Sequence, residues 1–150
     1  MSGDTACAAL TRDSIVGEAR RWIGTPYMHQ AAMNGVGCDC LGLIRGVWRR
    51  LFGEEPERMI AYAPDWAEAT GAEQLLLAAR RHFIEVDTAQ FLAGDVLLFR
   101  WRRGLPAKHL AIATSIESMV HAHDGASVCE VAISPFWRQQ LAYSFSFPGL

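Results

Sequence analysis

The pattern of apolar and polar residues changes near the middle of the chain. Before residue 83, apolar positions recur at three- and four-residue spacing, which is typical of amphipathic helices. After it, they form short runs rich in β-branched and aromatic residues. Helices followed by strands predict an α+β fold, with the helices packed on an antiparallel sheet of about five to six strands. We expect residues 1–150 to form one domain, long enough to bury a core.

The element boundaries follow from capping residues and turn formers. The first predicted helix is capped by Thr11 or Asp13 and ended by Gly24 and Pro26. The second runs from about Asp39 to Phe52, with Gly53 at C′. The third runs from Trp66 to His82. The predicted strands are Phe83–Val86, Asp95–Trp101, Leu110–Ser115, Met119–His123, Val128–Ile133 and Leu141–Phe147. Residues 24–38 and 54–65 are predicted to be loops.

Composition and charge narrow the class of protein. The chain is 51% hydrophobic and 20% charged, with a net charge of −2. This balance gives no support for binding nucleic acid or an anionic membrane. The first residues lack the basic and apolar regions of a signal peptide, and no apolar run could span a bilayer. We therefore expect synthesis and folding in a cytoplasm, no membrane insertion, and four reduced cysteines.

A candidate nucleophile lies at the predicted start of the second helix. Cys40 follows Asp39 in the run Gly37–Leu43, so it falls in the first helical turn. Partial positive charge there is expected to lower the pKa of the thiol, and the unpaired N–H groups could stabilise an oxyanion. Gly42 is expected to keep the adjacent surface open. The alternative is a buried cysteine that packs as a small hydrophobe.

Other cysteine chemistry fits the spacing less well. Cys38 and Cys40 form C-x-C, whereas redox pairs more often read C-x-x-C. A zinc site would need further ligands, for which Cys129, His121 and His123 are candidates, but there is no second close pair of cysteines. We therefore predict no metal site.

Histidines near two predicted strands are candidates for a general base. His109 follows a loop and opens an apolar run, a suitable place for a rigid base, although it could be an ordinary polar residue at a strand start. His121 and His123 are two residues apart, so on a strand they face the same side, and one of them could orient the ring of His109. His29 and His82 lack such a context and are predicted to be surface or loop residues.

Five segments, in order, match the motifs of a known family. They are Trp22–Tyr27 (WIGTPY), Gly37–Leu43 (GCDCLGL), Ala93–Phe99 (AGDVLLF), His109–Ile112 (HLAI) and Val120–Ala122 (VHA). With these segments the chain resembles the NlpC family of papain-like cysteine peptidases, which cut bacterial cell-wall peptides. It looks closest to the compact branch encoded with phage tails and gene transfer agents.

The resemblance implies a role for each matching residue. Cys40 would be the nucleophile, His109 the base and His121 the third, orienting residue. Tyr27 matches a family tyrosine that lies near the cysteine and helps to form the oxyanion site. Asp39 precedes the cysteine as in the family motif and is a candidate substrate-side residue.

The chain also departs from the family pattern. Leu41 stands where a serine is common, which could alter the pocket. His123 adds a second candidate for the third catalytic position and could instead line the cleft. The segment of Tyr62, Asp65 and Trp66 joins aromatic and acidic groups. It is either a solvated connection or, with Trp66 as its key residue, a groove wall or docking point.

The resemblance implies hydrolysis of peptidoglycan stem peptides, most often at the γ-D-glutamyl–diaminopimelyl bond, without a cofactor. We expect the enzyme to be carried on a phage-like tail tip or baseplate, with tail or baseplate proteins as partners. There it would act in the periplasm of a target cell and open the cell wall for DNA entry. The alternatives are a catalytically silent tail or baseplate component, a thiol acyltransferase, and a soluble lysis enzyme.

Overall fold

A computed structural model describes residues 9–56 and 74–150 of the chain. The helices in these ranges are α1 (Arg12–Arg20), α2 (Cys40–Phe52), α3 (Gln74–His82) and α4 (Pro135–Gln140). The strands are β1 (Ala32–Met33), β2 (Gly37–Cys38), β3 (Ile84–Val86), β4 (Val96–Phe99), β5 (His109–Ala113), β6 (Ser118–His121), β7 (Cys129–Ala132) and β8 (Leu141–Ser146). The predicted residues Tyr62, Asp65 and Trp66 lie outside the described ranges.

The main sheet has six strands in the order β3-β8-β4-β5-β6-β7. Every neighbouring pair in it is antiparallel. The predicted α+β class and the strand number are therefore confirmed. A separate two-stranded ribbon, β1–β2, lies in the segment that was predicted to be a loop. Two-residue strands are too short to produce a readable alternation of apolar and polar residues.

Both faces of the main sheet are covered. On β4, Val96 and Leu98 pack on the side of α1, α2 and α3. Leu97 and Phe99 pack on the opposite side, beside Trp137 of α4. All four residues of β4 are buried, which explains its continuous apolar run. Three helices thus lie on one face, as predicted, whereas α4 was not predicted and covers part of the other.

Local signals account for the helix ends. Thr11 caps α1 in a capping box with Ser14, and the helix ends at Arg20, before the predicted stop at Gly24. Gly53, at the end of α2, has a φ of 93°, a conformation that favours glycine.

Among the described residues, no helix has the length and apolar character needed to cross a membrane.

A buried carboxylate ties the first helix to the sheet. Asp95 is 1% exposed and accepts a hydrogen bond of 2.8 Å from the guanidinium of Arg12. The Ser146 hydroxyl of β8 donates to the same carboxylate at 2.7 Å. Asp95 is the aspartate of the Ala93–Phe99 motif. Its hydrogen bonds join α1 and β8 at the start of β4, so its role is structural rather than chemical.

Candidate active site

The start of α2 is held by one buried carboxylate. Asp39 is the N-cap residue and is 2% exposed. One of its oxygens accepts a hydrogen bond from the Gly42 N–H at 2.7 Å, and the other accepts one from the Gln30 N–H at 2.7 Å. Because both oxygens are bonded to backbone, Asp39 fixes the position of Cys40 relative to the preceding loop.

Gly42 corrects one expectation. It does not leave an open surface beside Cys40, because the backbone carbonyl of Ala31 lies directly against it. A Cβ atom at position 42 would be 1.8 Å from that oxygen. Glycine is therefore required for the close approach of α2 to the loop that Asp39 anchors.

The thiol of Cys40 is enclosed against the start of β5. Its sulfur lies 3.7 Å from the carbonyl oxygen of Lys108. The backbone N–H groups of Leu110, Leu41 and Cys40 itself favour the thiolate. Burial opposes them and, with the nearby Asp39 carboxylate, raises the pKa of Cys40 to about 12. The expected lowering of this pKa by the helix start is therefore wrong, because desolvation outweighs the N–H groups.

Two buried histidines form a direct pair across neighbouring strands. His109 opens β5 and His121 ends β6, and each is 4% exposed. The Nε2 atom of His109 and the Nδ1 atom of His121 are 2.9 Å apart, a hydrogen-bond distance. Burial, and then the neighbouring histidines His121 and His123, lower the pKa of His109 well below 6.5. Burial and His123 lower the pKa of His121 to about 4, so both rings are neutral at pH 7.

The proton on this hydrogen bond has one arrangement that suits catalysis. When His109 carries a second proton, its Nε2 atom must be a donor, so Nδ1 of His121 must accept. This arrangement leaves Nδ1 of His109 as the nitrogen that can exchange a proton with Cys40. In this arrangement the Nδ1 atom of His121 accepts the hydrogen bond, and the His121 ring carries no charge.

His123 lies farther toward solvent than the other two histidines. Its ring centroid is 5.8 Å from that of His109 and 5.8 Å from that of His121. Its Nδ1 atom is 3.1 Å from the backbone carbonyl of Asp124, to which an N–H there would donate. His121 therefore holds the nitrogen contact with His109, while His123 lines the cleft. The choice of His121 as the third catalytic residue remains a prediction.

Sequence reasoning did not identify two tryptophans that enclose the histidines. Trp137 of α4 stacks on His109 with ring centroids 5.4 Å apart, and it meets His121 edge to face at 5.3 Å. Trp101 lies 5.2 Å from His109. The signal for α4 was present in the sequence, because Ser134 is its N-cap and Pro135 occupies its first turn.

Cys40 and His109 line the same cleft, which has a volume of about 260 Å³. The other lining residues are Tyr27, His29, Asp39, Leu41, Leu75, Trp101, Lys108, Ala122, His123 and Asp124. The structure thus brings together the predicted Tyr27, Asp39, Cys40, His109 and His123. His121 lies behind His109, and Trp66 lies outside the described residues.

Tyr27 and His29 enter the cleft from the loop before β1. Burial, followed by the nearby Cys40 and Asp39, raises the pKa of Tyr27 to about 12, so its hydroxyl stays protonated and able to donate. His29 lies in a loop, as predicted, and it also lines the cleft, with Nδ1 3.8 Å from the Asp39 carboxylate. The loop folds back onto the start of α2, a contact that local patterns do not reveal.

Among the described residues, the structure gives little support for Cys38 as a nucleophile or for a metal site. Cys38 is fully buried on β2, and burial raises its pKa to about 12, which makes it a poor nucleophile. Within residues 9–56 and 74–150, no group of three or more His, Cys, Asp or Glu side chains is placed to hold a metal ion.

Known structures share this fold. No family model and no curated protein matches the chain. The NlpC/p60 domain of the peptidoglycan hydrolase SagA is 24% identical, with a TM-score of 0.64 over 92% of this chain and 100% of that domain. An NlpC/P60 family protein from Bacillus cereus ATCC 10987 is 19% identical, with a TM-score of 0.67 over 93% of this chain.

A third neighbour is a protein from Staphylococcus aureus subsp. aureus Mu50, described as similar to lipoprotein and of the NLP/P60 family. It is 22% identical, with a TM-score of 0.62 over 96% of this chain. The chain spans 44% of that protein and 41% of the Bacillus cereus protein. These similarities show that the chain has the NlpC/p60 fold.

Proposed function

We propose that this protein is a cysteine peptidase that hydrolyses peptidoglycan stem peptides. The observation that carries the proposal is the placement of Cys40 and His109 in one cleft, with His109 hydrogen-bonded to His121 at 2.9 Å. A thiol, a base and an orienting group are the components of nucleophilic acyl transfer. The neighbour SagA is described as a peptidoglycan hydrolase, which supports the choice of substrate class.

Acylation starts from an uncharged pair. The high pKa of Cys40 and the low pKa of His109 keep both groups neutral at rest. His109 therefore acts as a general base, and takes the thiol proton as the sulfur attacks the amide carbonyl. The N–H groups at the start of α2, with the Tyr27 hydroxyl, are suited to stabilise the developing oxyanion. The protonated His109 then gives its proton to the leaving amine.

Deacylation uses the same residues, with water as the nucleophile and the Cys40 sulfur as the leaving group. Water enters the site vacated by the amine and gives a proton to the neutral His109 as it attacks the thioester carbonyl. The carboxylic acid leaves, and the proton returns from His109 to the Cys40 sulfur. Throughout, His121 holds the His109 ring with its uncharged Nδ1 atom.

We further propose that the bond cut is the γ-D-glutamyl–diaminopimelyl bond, and that the enzyme is carried on a phage-like tail tip or baseplate. Both proposals are supported by the resemblance of the five sequence segments to the compact branch of the NlpC family. In this role, tail or baseplate proteins are the partners and the target-cell periplasm is the place of action. A particle would also supply a high local concentration of enzyme at the wall.

Purified sacculi provide the test of activity. Sacculi are incubated with wild type, Cys40→Ala and Cys38→Ala, and the released fragments are identified by mass spectrometry. We expect wild type and Cys38→Ala to release fragments that end in γ-D-glutamate, and Cys40→Ala to release none. Fragments joined to an added amine would indicate acyl transfer. Equal release by wild type and Cys40→Ala would contradict the proposed nucleophile.

Purified particles provide the test of location. Proteomics of intact particles and of the surrounding lysate should find the protein enriched in the particles together with tail proteins. If it is abundant in the lysate and missing from intact particles, the tail-tip proposal is wrong and a soluble lysis role gains support.

A further inference from the structure

Lys108 is the only lysine in the chain, although the chain has 14 lysine and arginine residues in total. This single lysine lies immediately before His109 and lines the cleft with Cys40 and His109. Its carbonyl oxygen is the atom that lies 3.7 Å from the Cys40 sulfur. The backbone of Lys108 is therefore in contact with the proposed nucleophile.

The loop that carries Lys108 is fixed at its base. The Lys108 N–H donates to the Phe99 carbonyl at 3.0 Å, next to the β4–β5 pairing. Pro106 and Ala107 are buried, and the Arg100 guanidinium donates to the Leu105 carbonyl. Because these contacts hold the last residues of the loop, the Lys108 backbone has a defined position beside the thiol.

The loop between β4 and β5, which carries Lys108, has a positive net charge. No acidic residue occurs between Asp95 and Glu117, whereas Arg102 and Arg103 lie exposed on the same loop as Lys108. Among the described residues that line the cleft, the carboxylates are those of Asp39 and Asp124. Asp39 is buried and its two oxygens are bonded to backbone N–H groups. On the side of the cleft that this loop forms, its positive charge favours an anionic group on a ligand.

We propose that Lys108 is a specificity-determining residue, whose ammonium binds a substrate carboxylate next to the amide bond that is cut. This inference rests on the proposed function. A lysine ammonium is a compact charge with three donors, suited to a charge-assisted hydrogen bond with a carboxylate. A peptide with a neutral amide in place of that carboxylate would lose this interaction.

In the proposed substrate, two residues flank the scissile bond, and each has a free carboxylate. One is the α-carboxylate of D-glutamate. The other is the diaminopimelate carboxylate on the carbon that carries the acylated amine, and this is the carboxylate amidated in the third peptide below. Three synthetic peptides separate these sources: L-alanyl-γ-D-glutamyl-diaminopimelate, the same peptide with the glutamate carboxylate amidated, and the same peptide with the diaminopimelate carboxylate amidated. The amidated position that lowers kcat/KM identifies the carboxylate that Lys108 binds.

The first experiment compares kcat/KM for these peptides between wild type and Lys108→Met. We expect wild type to prefer the unamidated peptide over one of the amides by about five- to tenfold, the range for a partly exposed charged contact. Lys108→Met should lose this preference through slower cleavage of the unamidated peptide. Arg103→Met, an exposed change on the same loop, should keep the preference, which separates contact with Lys108 from the general charge of the loop.

Because the chain has one lysine, chemical modification gives an independent measurement. Acetylation removes the charge of Lys108, whereas reductive dimethylation keeps it. Acetylated enzyme should behave as Lys108→Met and dimethylated enzyme as wild type. Lys108→Arg treated with the same reagents reports any effect of the modified N-terminal amine alone.

Binding to Cys40→Ala tests the inference without turnover. Calorimetry should show tighter binding of the unamidated peptide than of one amide, and the preference should disappear in Cys40→Ala/Lys108→Met. If this binding preference is found but wild type cleaves none of the peptides, the proposed function fails and the inference stands. If wild type cleaves the three peptides equally, or Lys108→Met keeps the preference, the inference is wrong and the proposed function stands.

Discussion

At the scale of single residues, His121 and His123 differ in what they contact. His121 is buried and its Nδ1 atom meets Nε2 of His109, whereas His123 is partly exposed and lies beside the backbone of Asp124. Two histidines of similar sequence context thus have different environments. The difference gives each a separate expected effect on the rate.

Substitution of the three histidines should rank their roles. We expect His109→Ala to lower kcat by about 10²–10⁴-fold, as for loss of a general base. His121→Ala should lower kcat less, and His123→Ala least, because of these two it is His121 whose nitrogen lies within hydrogen-bond distance of the base. His121→Asn should recover part of the loss, since its side-chain oxygen can accept from His109. Steady-state kinetics on a stem peptide is the measurement, and a larger loss for His123→Ala than for His121→Ala would reverse the assignment.

Trp137 is the other residue whose role depends on its neighbours. Its ring covers the His109–His121 pair, at 5.4 and 5.3 Å from the two rings. Trp137→Ala should admit water, raise the pKa of His109 toward 6.5, and lower kcat by about tenfold through loss of ring orientation. The acid limb of the rate profile should therefore move to higher pH.

The control for Trp137 is the adjacent Phe136. It is 52% exposed, and its ring lies 5.2 Å from that of Trp137. Phe136→Ala should leave the rate profile in place, and Trp137→Phe should preserve most of the rate. A fall in stability with an unmoved pH profile for Trp137→Ala would show that Trp137 only packs.

At the scale of elements, helix α2 is the clearest case in which the capping residue, the terminating glycine and the apolar spacing all indicate the same helix. Asp39 caps it, Gly53 ends it, and its buried positions Leu43, Ile44 and Val47 recur at helical spacing. Its predicted limits therefore agree with the structure to within one residue. The contact at Gly42, by contrast, depends on Ala31, which belongs to a different segment.

Gly42→Ala should displace the start of α2. Its Cβ would lie 1.8 Å from the Ala31 oxygen, so the helix and the loop must separate, at a cost of about 1–3 kcal/mol in unfolding free energy. Activity should fall as well, because Cys40 moves with the helix. Gly17→Ala is the matched control: no atom lies within 4 Å of its Cβ. At this exposed position of α1 the alanine should stabilise the fold by about 0.5–1 kcal/mol, as measured by urea unfolding.

At the scale of the whole molecule, burial of neutral histidines links stability to pH. In the unfolded chain His121 titrates near 6.5, whereas in the fold its pKa is about 4. Between these values the unfolded state binds more protons, so the unfolding free energy falls as the pH falls from 6.5 toward 4. Above 6.5 the contribution is fully present. His121 alone accounts for about 3 kcal/mol of this loss, and His109 adds to it.

Urea unfolding at about pH 7.5 and about pH 5 measures this effect. Wild type should lose stability between the two values, and His121→Asn, which lacks the titrating ring, should lose less. Equal losses in the two proteins would show that other groups cause the acid sensitivity.

Part of this protein follows from its sequence alone. The change from helical to strand periodicity predicts the α+β class, and capping residues place Cys40 at a helix start. The strand pattern likewise places His121 on a predicted strand and His109 directly before one. These features depend on interactions within a few residues along the chain, so the local pattern contains the information needed to predict them.

Tertiary structure decides what the local pattern cannot. The position of β8 between β3 and β4, the approach of α4 to His109, and the entry of His29 and Lys108 into the cleft join residues far apart in sequence. The raised pKa of Cys40 belongs to the same group, because desolvation depends on all the atoms around a charge. The sequence by itself determines which residues can do chemistry, and three-dimensional packing determines their protonation and their partners.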